Sequence, residues 1–448
     1  MGILPTLSMK LFDCRRKKEE CAVTFNVITL GCKVNSCESA AISERFSQEG
    51  FAPAQDGVPA DVYIVNSCAV TAMSEKKARQ VISRCKRDNP ECVTVLCGCF
   101  PQAYPEAAGK VAGADIVTGN SAKGSVPELV KKYLSENIRC MKVEPLTRQF
   151  DEAAAGADID RTRAFIKIED GCDRFCTYCI IPTARGRVRS RTPAEITAQA
   201  VKCVESGHKE IVLTGINLGC YGQEYGLTLG DAVKAAAESG AARIRLGSLE
   251  PEMMTAEEID RLRSVPSLCP HFHLSLQSGC DETLKRMCRR YDAAEYRMVV
   301  ERLRSAFPGC SITTDIMVGF AGETDEEFRQ SMEFAEEMAF AKIHVFPYSM
   351  RKGTVAAERS DQVLPQIKTE RARLMEQLSA RLEQEFLKKQ VGTEKSVLIE
   401  KKRSDEYSYG LTDSYFEVRI YGQDISQHTL AQVRITAVRG GYCVGRVI

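Results

Sequence analysis

Through the first part of the chain, short apolar runs rich in β-branched residues alternate with longer stretches of helical periodicity. Val27-Ile-Thr-Leu30 precedes a helix-like Asn35–Gln48, and Val62-Tyr-Ile-Val65 precedes Ser74–Arg87. Val93-Thr-Val-Leu96 precedes Pro101–Ala108, and Ile116-Val117 precedes Val126–Leu134. Strand followed by helix, repeated, predicts a parallel sheet with covering helices: an α/β domain over residues 24–146.

A second alternating stretch predicts a larger α/β domain over residues 160–366. Its strand candidates are Phe165–Ile168, Ile211–Leu213, Arg243–Leu246, Phe272–Ser275, Ile312–Val318 and Ile343–Phe346. Helical stretches lie between them, such as Pro193–Ser206, Thr255–Arg263, Ala293–Ala306 and Glu326–Met338. Six such units predict an open, partial (β/α)6 TIM-like barrel. A connecting helix over 367–390 follows, with Ile367, Leu374, Met375, Leu378, Leu382 and Phe386 on one packing face. The remainder, 391–448, reads as short strands at 396–399, 416–420, 432–435 and 442–447, with Gly410, Gly422 and Gly440-Gly441 as turns. That pattern predicts a small OB-like β-barrel, a shape that commonly holds RNA.

The chain has 448 residues, 44% hydrophobic and 27% charged, an ordinary globular composition. No apolar run is long enough to span a bilayer, and the start shows no basic-then-apolar signal pattern. Twenty cysteines without an export signal fit a reducing cytoplasm better than a disulfide scaffold. Most of them, Cys203, Cys269 and Cys310 among them, read as small buried apolar residues. The net charge of +1 announces no nucleic-acid partner, so RNA contact has to come from a local patch. Residues 385–448 hold ten Lys and Arg against eight Asp and Glu, only mildly basic. Residues 1–23, with Cys14 and Cys21, remain unassigned, and Met9 is a candidate start.

Chemistry enters with Gly171-Cys-Asp-Arg-Phe-Cys-Thr-Tyr-Cys179, immediately after the first strand of the second domain. A [4Fe–4S] cluster wants four ligands. Cys172, Cys176 and Cys179 supply three and leave one iron open to chelate S-adenosylmethionine. A structural zinc clip would want a fourth Cys or His, and none lies nearby. In the first domain, Cys32, Cys68 and Cys99 each lie just beyond a strand. The carboxyl ends of parallel strands share one edge, so these thiols are expected to converge on a second cluster with an open iron. Cys37 and Cys97 are left out as helix and strand residues.

Strand ends of the second domain carry Thr214-Gly-Ile-Asn217, Gly247-Ser-Leu-Glu250, Ser275-Leu-Gln-Ser-Gly279 and Val318-Gly-Phe-Ala-Gly-Glu323. Tyr178, Gly215, Asn217, Ser248, Glu250 and Gln277 are therefore candidates for holding S-adenosylmethionine, with Glu250 on ribose hydroxyls. Arg185, Arg187, Arg189 and Arg191, four arginines in seven residues, form the candidate RNA patch. Lys76, Lys77 and Arg79 are weaker additions to it.

Six motifs taken in order carry a family resemblance. They are Thr29-Leu-Gly-Cys-Lys-Val-Asn35, Asn66-Ser-Cys-Ala-Val-Thr71, Gly98-Cys-Phe-Pro-Gln102, the Gly171–Cys179 run, Pro182-Thr-Ala-Arg-Gly-Arg-Val-Arg-Ser-Arg191 and Leu274-Ser-Leu-Gln-Ser-Gly279. Together they resemble the radical S-adenosylmethionine methylthiotransferases, over nearly all the chain after residue 24. The terminal barrel is similar to a TRAM domain. The resemblance selects Cys99 over Cys97 and implies two [4Fe–4S] clusters. The one on Cys32, Cys68 and Cys99 would carry the sulfur to be inserted and methylated. The one on Cys172, Cys176 and Cys179 would cleave a second S-adenosylmethionine to a radical that attacks adenine C2–H. Gly31-Cys-Lys-Val-Asn35 most resembles the branch acting on N6-threonylcarbamoyladenosine in tRNA. The alternatives are isopentenyladenosine in tRNA and an aspartate of a ribosomal protein. The resemblance also implies an electron donor of flavodoxin or ferredoxin type and a sulfur donor, neither identified by the sequence. A non-enzymatic, cysteine-rich RNA-binding or metal-storage protein is the rival reading, and it leaves the strand-end motifs unexplained. In this reading the barrel holds tRNA, and its removal spares both clusters.

Overall fold

The computed structural model describes residues 22–150, 161–402 and 404–448. The expectations for Met1–Cys21 lie outside them. The described residues fall into two compact units, one of residues 22–69 and 73–146, the other of residues 70–72, 147–150 and the described residues from 161 to 448.

The first unit is a parallel six-stranded sheet. Its strands run in the order Ala52–Pro53, Thr24–Thr29, Val62–Ser67, Val93–Gly98, Ile116–Thr118 and Cys140–Lys142. The two outermost are too short to leave a pattern in the sequence. Helix Lys33–Gln48 buries Val34, Cys37, Ala41, Ile42 and Phe46, at the three- and four-residue spacing of one helical face. Phe46 packs in turn on Phe25 and Phe51 at 5.0 and 4.9 Å between ring centres. Helix Ala72–Asp88 covers the sheet through Ala78, Val81, Ile82 and Cys85. Strands covered by helices on both faces are buried throughout: Val62–Ser67 and Val93–Gly98 are buried at every position, with Asn66, Ser67 and Thr94 their polar members.

The second unit contains all six expected parallel strands. Arg243–Leu246, Glu210–Thr214 and Ala164–Lys167 form one arc. Ser248–Leu249, His271–Leu274, Ser311–Val318 and Lys342–Pro347 form the other. Among the described residues the first and last strands do not pair, so the barrel is open. Helix Pro365–Lys388 packs on the last strand through Met375, Leu378 and Leu382. Ile367 at its start is 39% exposed, so the expected packing face is shorter than its pattern.

Residues 394–447 close into a five-stranded barrel, in the order Glu394–Ile399, Tyr407–Thr412, Glu417–Tyr421, Tyr442–Val447 and Leu430–Arg439. Tyr407–Thr412 is absent from the sequence expectation because Gly410 reads there as a turn. It is instead a strand residue facing Leu398, where a Cβ would collide with the Leu398 carbonyl oxygen. The barrel is also not a separate appendage. Its Thr412–Phe416 turn docks on the amino ends of the large barrel's strands. Arg245 donates to the carbonyls of Asp413 and Thr412 at 2.9 and 3.1 Å. Arg243 donates to that of Leu411 at 3.2 Å, and Ser311 to that of Ser414 at 2.5 Å. Buried Glu210 binds both arginines, Arg245 at 2.6 Å and Arg243 at 3.3 Å. The Tyr415 ring lies 4.5 Å from the Arg245 guanidinium and 4.8 Å from the His271 ring. Removing the small barrel would strip these buried charges of their carbonyl partners, a cost to the large barrel that the sequence does not show.

Candidate functional site

In the first unit the sheet register brings the strand-end cysteines together. Thr29 pairs with Asn66, and Ser67 with Gly98, so Cys32, Cys68 and Cys99 leave one sheet edge side by side. Gly31 passes so close to Cys68 that a Cβ would stand 2.8 Å from the Cys68 Cβ. Cys32 caps helix Lys33–Gln48 and Cys99 opens helix Cys99–Ala103, and a helix start favours negative charge such as a ligated thiolate carries. Amides surround the sulfurs. Asn120 donates to Cys99 Sγ at 3.6 Å, and Asn35 accepts from Cys32 Sγ at 3.8 Å. Asn35 is itself pinned to the Leu30 and Ser67 carbonyls at 2.8 and 3.1 Å. Cys97 lies inside its strand, where burial pushes its thiol up to about 12, and Cys37 is buried in the first helix.

In the second unit Cys172, Cys176 and Cys179 occupy a loop at the carboxyl end of Ala164–Lys167, the face where such barrels place their chemistry. Gly171 makes the loop possible: its φ is +94°, and a Cβ would collide with the Arg187 carbonyl. The loop is tied down from several directions. Cys172 N–H donates to Gly186 at 3.0 Å, Thr177 N–H to Met287 at 3.1 Å, and Ala356 N–H to Thr177 at 2.8 Å. Burial pushes the Cys172 thiol up to about 11 and that of Cys179 up to about 12, and raises Cys176. Metal-free, these are thiols at neutral pH, and ligation must release their protons.

The candidate cofactor residues are spread unevenly around this loop. Asn217 is buried, donates its side-chain amide to Cys172 Sγ at 3.6 Å, and gives its backbone N–H to Glu169 at 2.7 Å. Gly215 runs against the same Glu169 carboxylate. Tyr178 packs edge-on to Phe320 at 6.3 Å. Gln277 has a φ of +66° and bridges by its backbone to Asp315 and Met317. Ser248 is exposed on its short strand. Glu250 is ion-paired with Arg289, which sequence reasoning missed. Arg289 also donates to Cys176 Sγ at 3.3 Å and to Tyr291 Oη at 3.0 Å. Glu169 was missed too. It is fully buried, and burial lifts its carboxyl to about 8. Glu169 Oε1 and Asn217 Oδ1 are buried with no hydrogen-bond partner among the described residues.

The arginine run departs from its expected role. Arg185, Arg189 and Arg191 are buried. Arg185 and Arg189 reach Asp170 at 3.3 and 2.9 Å, and Lys167 joins them at 2.7 Å. Arg189 also donates to the carbonyls of Arg185 and Arg187 at 2.7 and 3.1 Å. Arg185 and Arg189 thus hold Asp170, next to Gly171 at the start of the cysteine loop, and lie buried where the sequence predicts a surface contact with RNA. Arg187 alone of the run is exposed, 3.2 Å from Asp173 and 5.7 Å from the ring of Phe175. Lys76 and Lys77 lie near the start of helix Ala72–Asp88, while Arg79 stacks 5.2 Å from Phe100.

Among the described residues, no three His, Cys, Asp or Glu side chains gather around one point as a single metal ion would require. The donor chemistry fits an iron–sulfur cluster instead. Each cysteine set is three thiols, and in each a nitrogen donor is aimed at a sulfur, the kind of contact that tunes such clusters.

Comparison with known proteins adds to this geometry. Residues 166–335 match the model of the radical SAM superfamily, and residues 24–119 that of the uncharacterized protein family UPF0004. The chain is 38% identical over 423 residues to a threonylcarbamoyladenosine tRNA methylthiotransferase of Bacillus subtilis, covering 92% of this chain and 93% of that one. The protein of the same name from Thermotoga maritima is 36% identical, covering 93% and 96%. A tRNA-2-methylthio-N(6)-dimethylallyladenosine synthase of Pelotomaculum thermopropionicum is 30% identical, covering 94% and 97%. A solved radical S-adenosylmethionine methyltransferase from Kitasatospora setae, TsrM, shares the fold, with a TM-score of 0.55 at 14% identity over 75% of this chain and 77% of that one.

Proposed function

Because the chain belongs to the radical S-adenosylmethionine tRNA methylthiotransferases, we propose that it inserts a methylthio group at C2 of N6-threonylcarbamoyladenosine in tRNA. The observation that carries the choice of base is the 38% identity to the Bacillus subtilis enzyme of that name across nearly the whole of both chains. The Gly31-Cys-Lys-Val-Asn35 motif agrees with it.

Family membership brings a [4Fe–4S] cluster and S-adenosylmethionine. We assign that cluster to Cys172, Cys176 and Cys179, and a second to Cys32, Cys68 and Cys99. When bound, the first cluster supplies the electron that turns S-adenosylmethionine into a radical source for attack at the base C2–H. The protein's part is positioning and charge. The methionine end of S-adenosylmethionine is a zwitterion, needing acceptors for its ammonium and a donor for its carboxylate. Glu169 Oε1 and Asn217 Oδ1 are acceptors without partners, and the Arg289 guanidinium, already engaged by Glu250, Ser275, Tyr291 and Cys176, supplies buried positive charge at the cysteine loop for the carboxylate. We assign Glu250, held by Arg289, to the ribose hydroxyls. Gly171, Asp170 and the buried arginines fix the cysteine loop, so little reorganisation accompanies binding. In the first unit, Asn35 and Asn120 hold the sulfur edge in place.

The reading is tested by reconstituting the full-length protein with iron and sulfide and supplying S-adenosylmethionine, a reductant, a sulfide source and tRNA lacking the methylthio group. Mass spectrometry of the nucleosides should show mass added to threonylcarbamoyladenosine. Addition to dimethylallyladenosine instead would move the chain to the branch of its 30%-identical relative.

A further inference from the structure

We propose that the outer face of the C-terminal barrel carries a stacking site for an unpaired RNA base, built by Tyr407, Arg419, Tyr421 and Tyr442 and bordered by Arg439 and Arg446. The inference rests on the reading of tRNA as substrate and goes beyond it by naming the surface that grips the RNA away from the chemistry.

Strand register puts these side chains on one face. Tyr407 is directly opposite Tyr421, and Arg419 stands two residues before Tyr421. Arg419 is opposite Val444, two residues after Tyr442. Side chains two apart share a face of a strand, so the four come together on the outside. The Tyr407 and Tyr421 rings are 5.5 Å apart. The Arg419 guanidinium lies 4.7 Å from the Tyr407 ring centre and 3.6 Å from that of Tyr442. The hydroxyls of Tyr421 and Tyr442 are 3.4 Å apart.

This cluster is not part of the barrel core. Val397, Val418, Ile420, Val433, Ile435 and Cys443 fill the interior, whereas Tyr421 is 41% exposed. Aromatic rings grouped on a surface with an arginine are unusual unless something covers them. A flat, electron-rich group of rings with a guanidinium suits the face of a nucleobase. Only an unpaired base offers that face, since in a duplex both faces are stacked.

Exposed arginines border the rings on the Tyr442 side. Arg439 pairs with Tyr442 across the strands, and Arg446 stands two residues beyond Val444. Both are exposed, and among the described residues neither makes an ion pair. Arg434 is engaged by Glu394 at 2.5 Å, and Glu417 on this face by Arg419 at 2.7 Å. Lys402 is likewise engaged by Asp405 and Asp424, whereas Arg439 and Arg446, beside the rings, can meet phosphates on either side of a stacked base.

The test uses the full-length protein and unfractionated tRNA from cells lacking it, by filter binding at several salt concentrations. Tyr421→Ala and Tyr442→Ala should each weaken binding about tenfold, the scale of one lost stacking contact. Tyr442→Phe should bind like the parent. Arg439→Ala with Arg446→Ala should reduce the salt slope by about two, because two phosphate contacts are lost. A single-stranded oligouridylate should compete for the site and a blunt RNA duplex should not. Ultraviolet crosslinking of the unaltered protein to the same tRNA, with peptide mapping, does not depend on how any variant folds. Crosslinks in 407–421 or 439–446 support the site. Crosslinks confined to other segments, or tyrosine variants that bind tRNA as tightly as the parent, overturn it. None of these readouts depends on which base is methylthiolated, so failure here is distinct from failure of the substrate assignment.

Discussion

The guanidinium of Arg289 stands 3.3 Å from the sulfur of Cys176, although 113 residues separate them in sequence. Its other nitrogens are held by Glu250, the Ser275 carbonyl and Tyr291. With Cys176 a cluster ligand as proposed, a buried cation fixed against its sulfur stabilises the more negative, reduced cluster, so it should raise the reduction potential. Arg289→Gln should lower that potential by ~60–130 mV, the one-electron equivalent of a charge-assisted hydrogen bond. Arg289→Lys should lose less. Redox titration monitored by electron paramagnetic resonance checks this, and an unchanged potential would confine Arg289 to cofactor binding.

Iron content separates the two cysteine sets. The reconstituted protein should hold about eight irons, four for each cluster. Replacing Cys172, Cys176 and Cys179 with alanine should leave about four and abolish S-adenosylmethionine cleavage. Replacing Cys32, Cys68 and Cys99 should leave about four and retain cleavage. Burial holds the thiols of the first set protonated at neutral pH. Cluster loading therefore competes with protons, and resistance to a chelator should rise between about pH 7 and pH 9. Full iron content in the second triple variant would refute the N-terminal site.

The arginine run divides into two kinds of side chain. Arg185 is buried against Asp170, and Arg185→Ala should cost ~2–3 kcal/mol through the lost charge-assisted hydrogen bonds and the cavity left behind, while Arg189 and Lys167 still hold Asp170. Arg187 is exposed, its contact with Asp173 lies at the surface, and Arg187→Ala should change stability by ~0–1 kcal/mol. Arg187→Ala is expected to slow turnover on tRNA at saturation while leaving S-adenosylmethionine cleavage without RNA intact. Denaturant unfolding and single-turnover assays read the two effects apart.

Glu210 joins the large barrel to the small one. Burial pushes its carboxyl up, but Arg245 and Arg243 outweigh this and hold it below the usual range. A lowered carboxyl pKa contributes stability above the ordinary carboxylate range and loses it as pH falls through the folded-state value. Glu210→Gln should therefore destabilise the protein at pH 7 by ~3 kcal/mol, with the difference from the parent shrinking in acid. Truncation after Lys389 should lower thermal stability as well as tRNA affinity. A truncated protein as stable as the parent would show that this docking contributes little.

Much of this architecture was legible because it repeats. Six strands of the large barrel and four of the first unit's sheet carry apolar runs long enough to read, and each cysteine motif sits at a strand's end. Gly410 hid a strand because a glycine facing a crowded interior looks like a turn glycine in sequence. Arg185 and Arg189 misled for a related reason. A run of arginines reads as surface charge, and only the fold reveals Asp170 and Lys167 beneath it. Arg289 left no signal at all, since its partners Glu250 and Cys176 are brought to it by separate strands and loops.

The most direct test of the central claim is nucleoside mass spectrometry of tRNA from cells in which this gene has been deleted. The account predicts loss of the 2-methylthio form of threonylcarbamoyladenosine, accumulation of unmodified threonylcarbamoyladenosine, and retention of 2-methylthio isopentenyladenosine. Restoring the intact gene should reverse the change, and restoring one with Cys172→Ala should not. Loss of the isopentenyladenosine derivative with the threonylcarbamoyladenosine derivative untouched would contradict it.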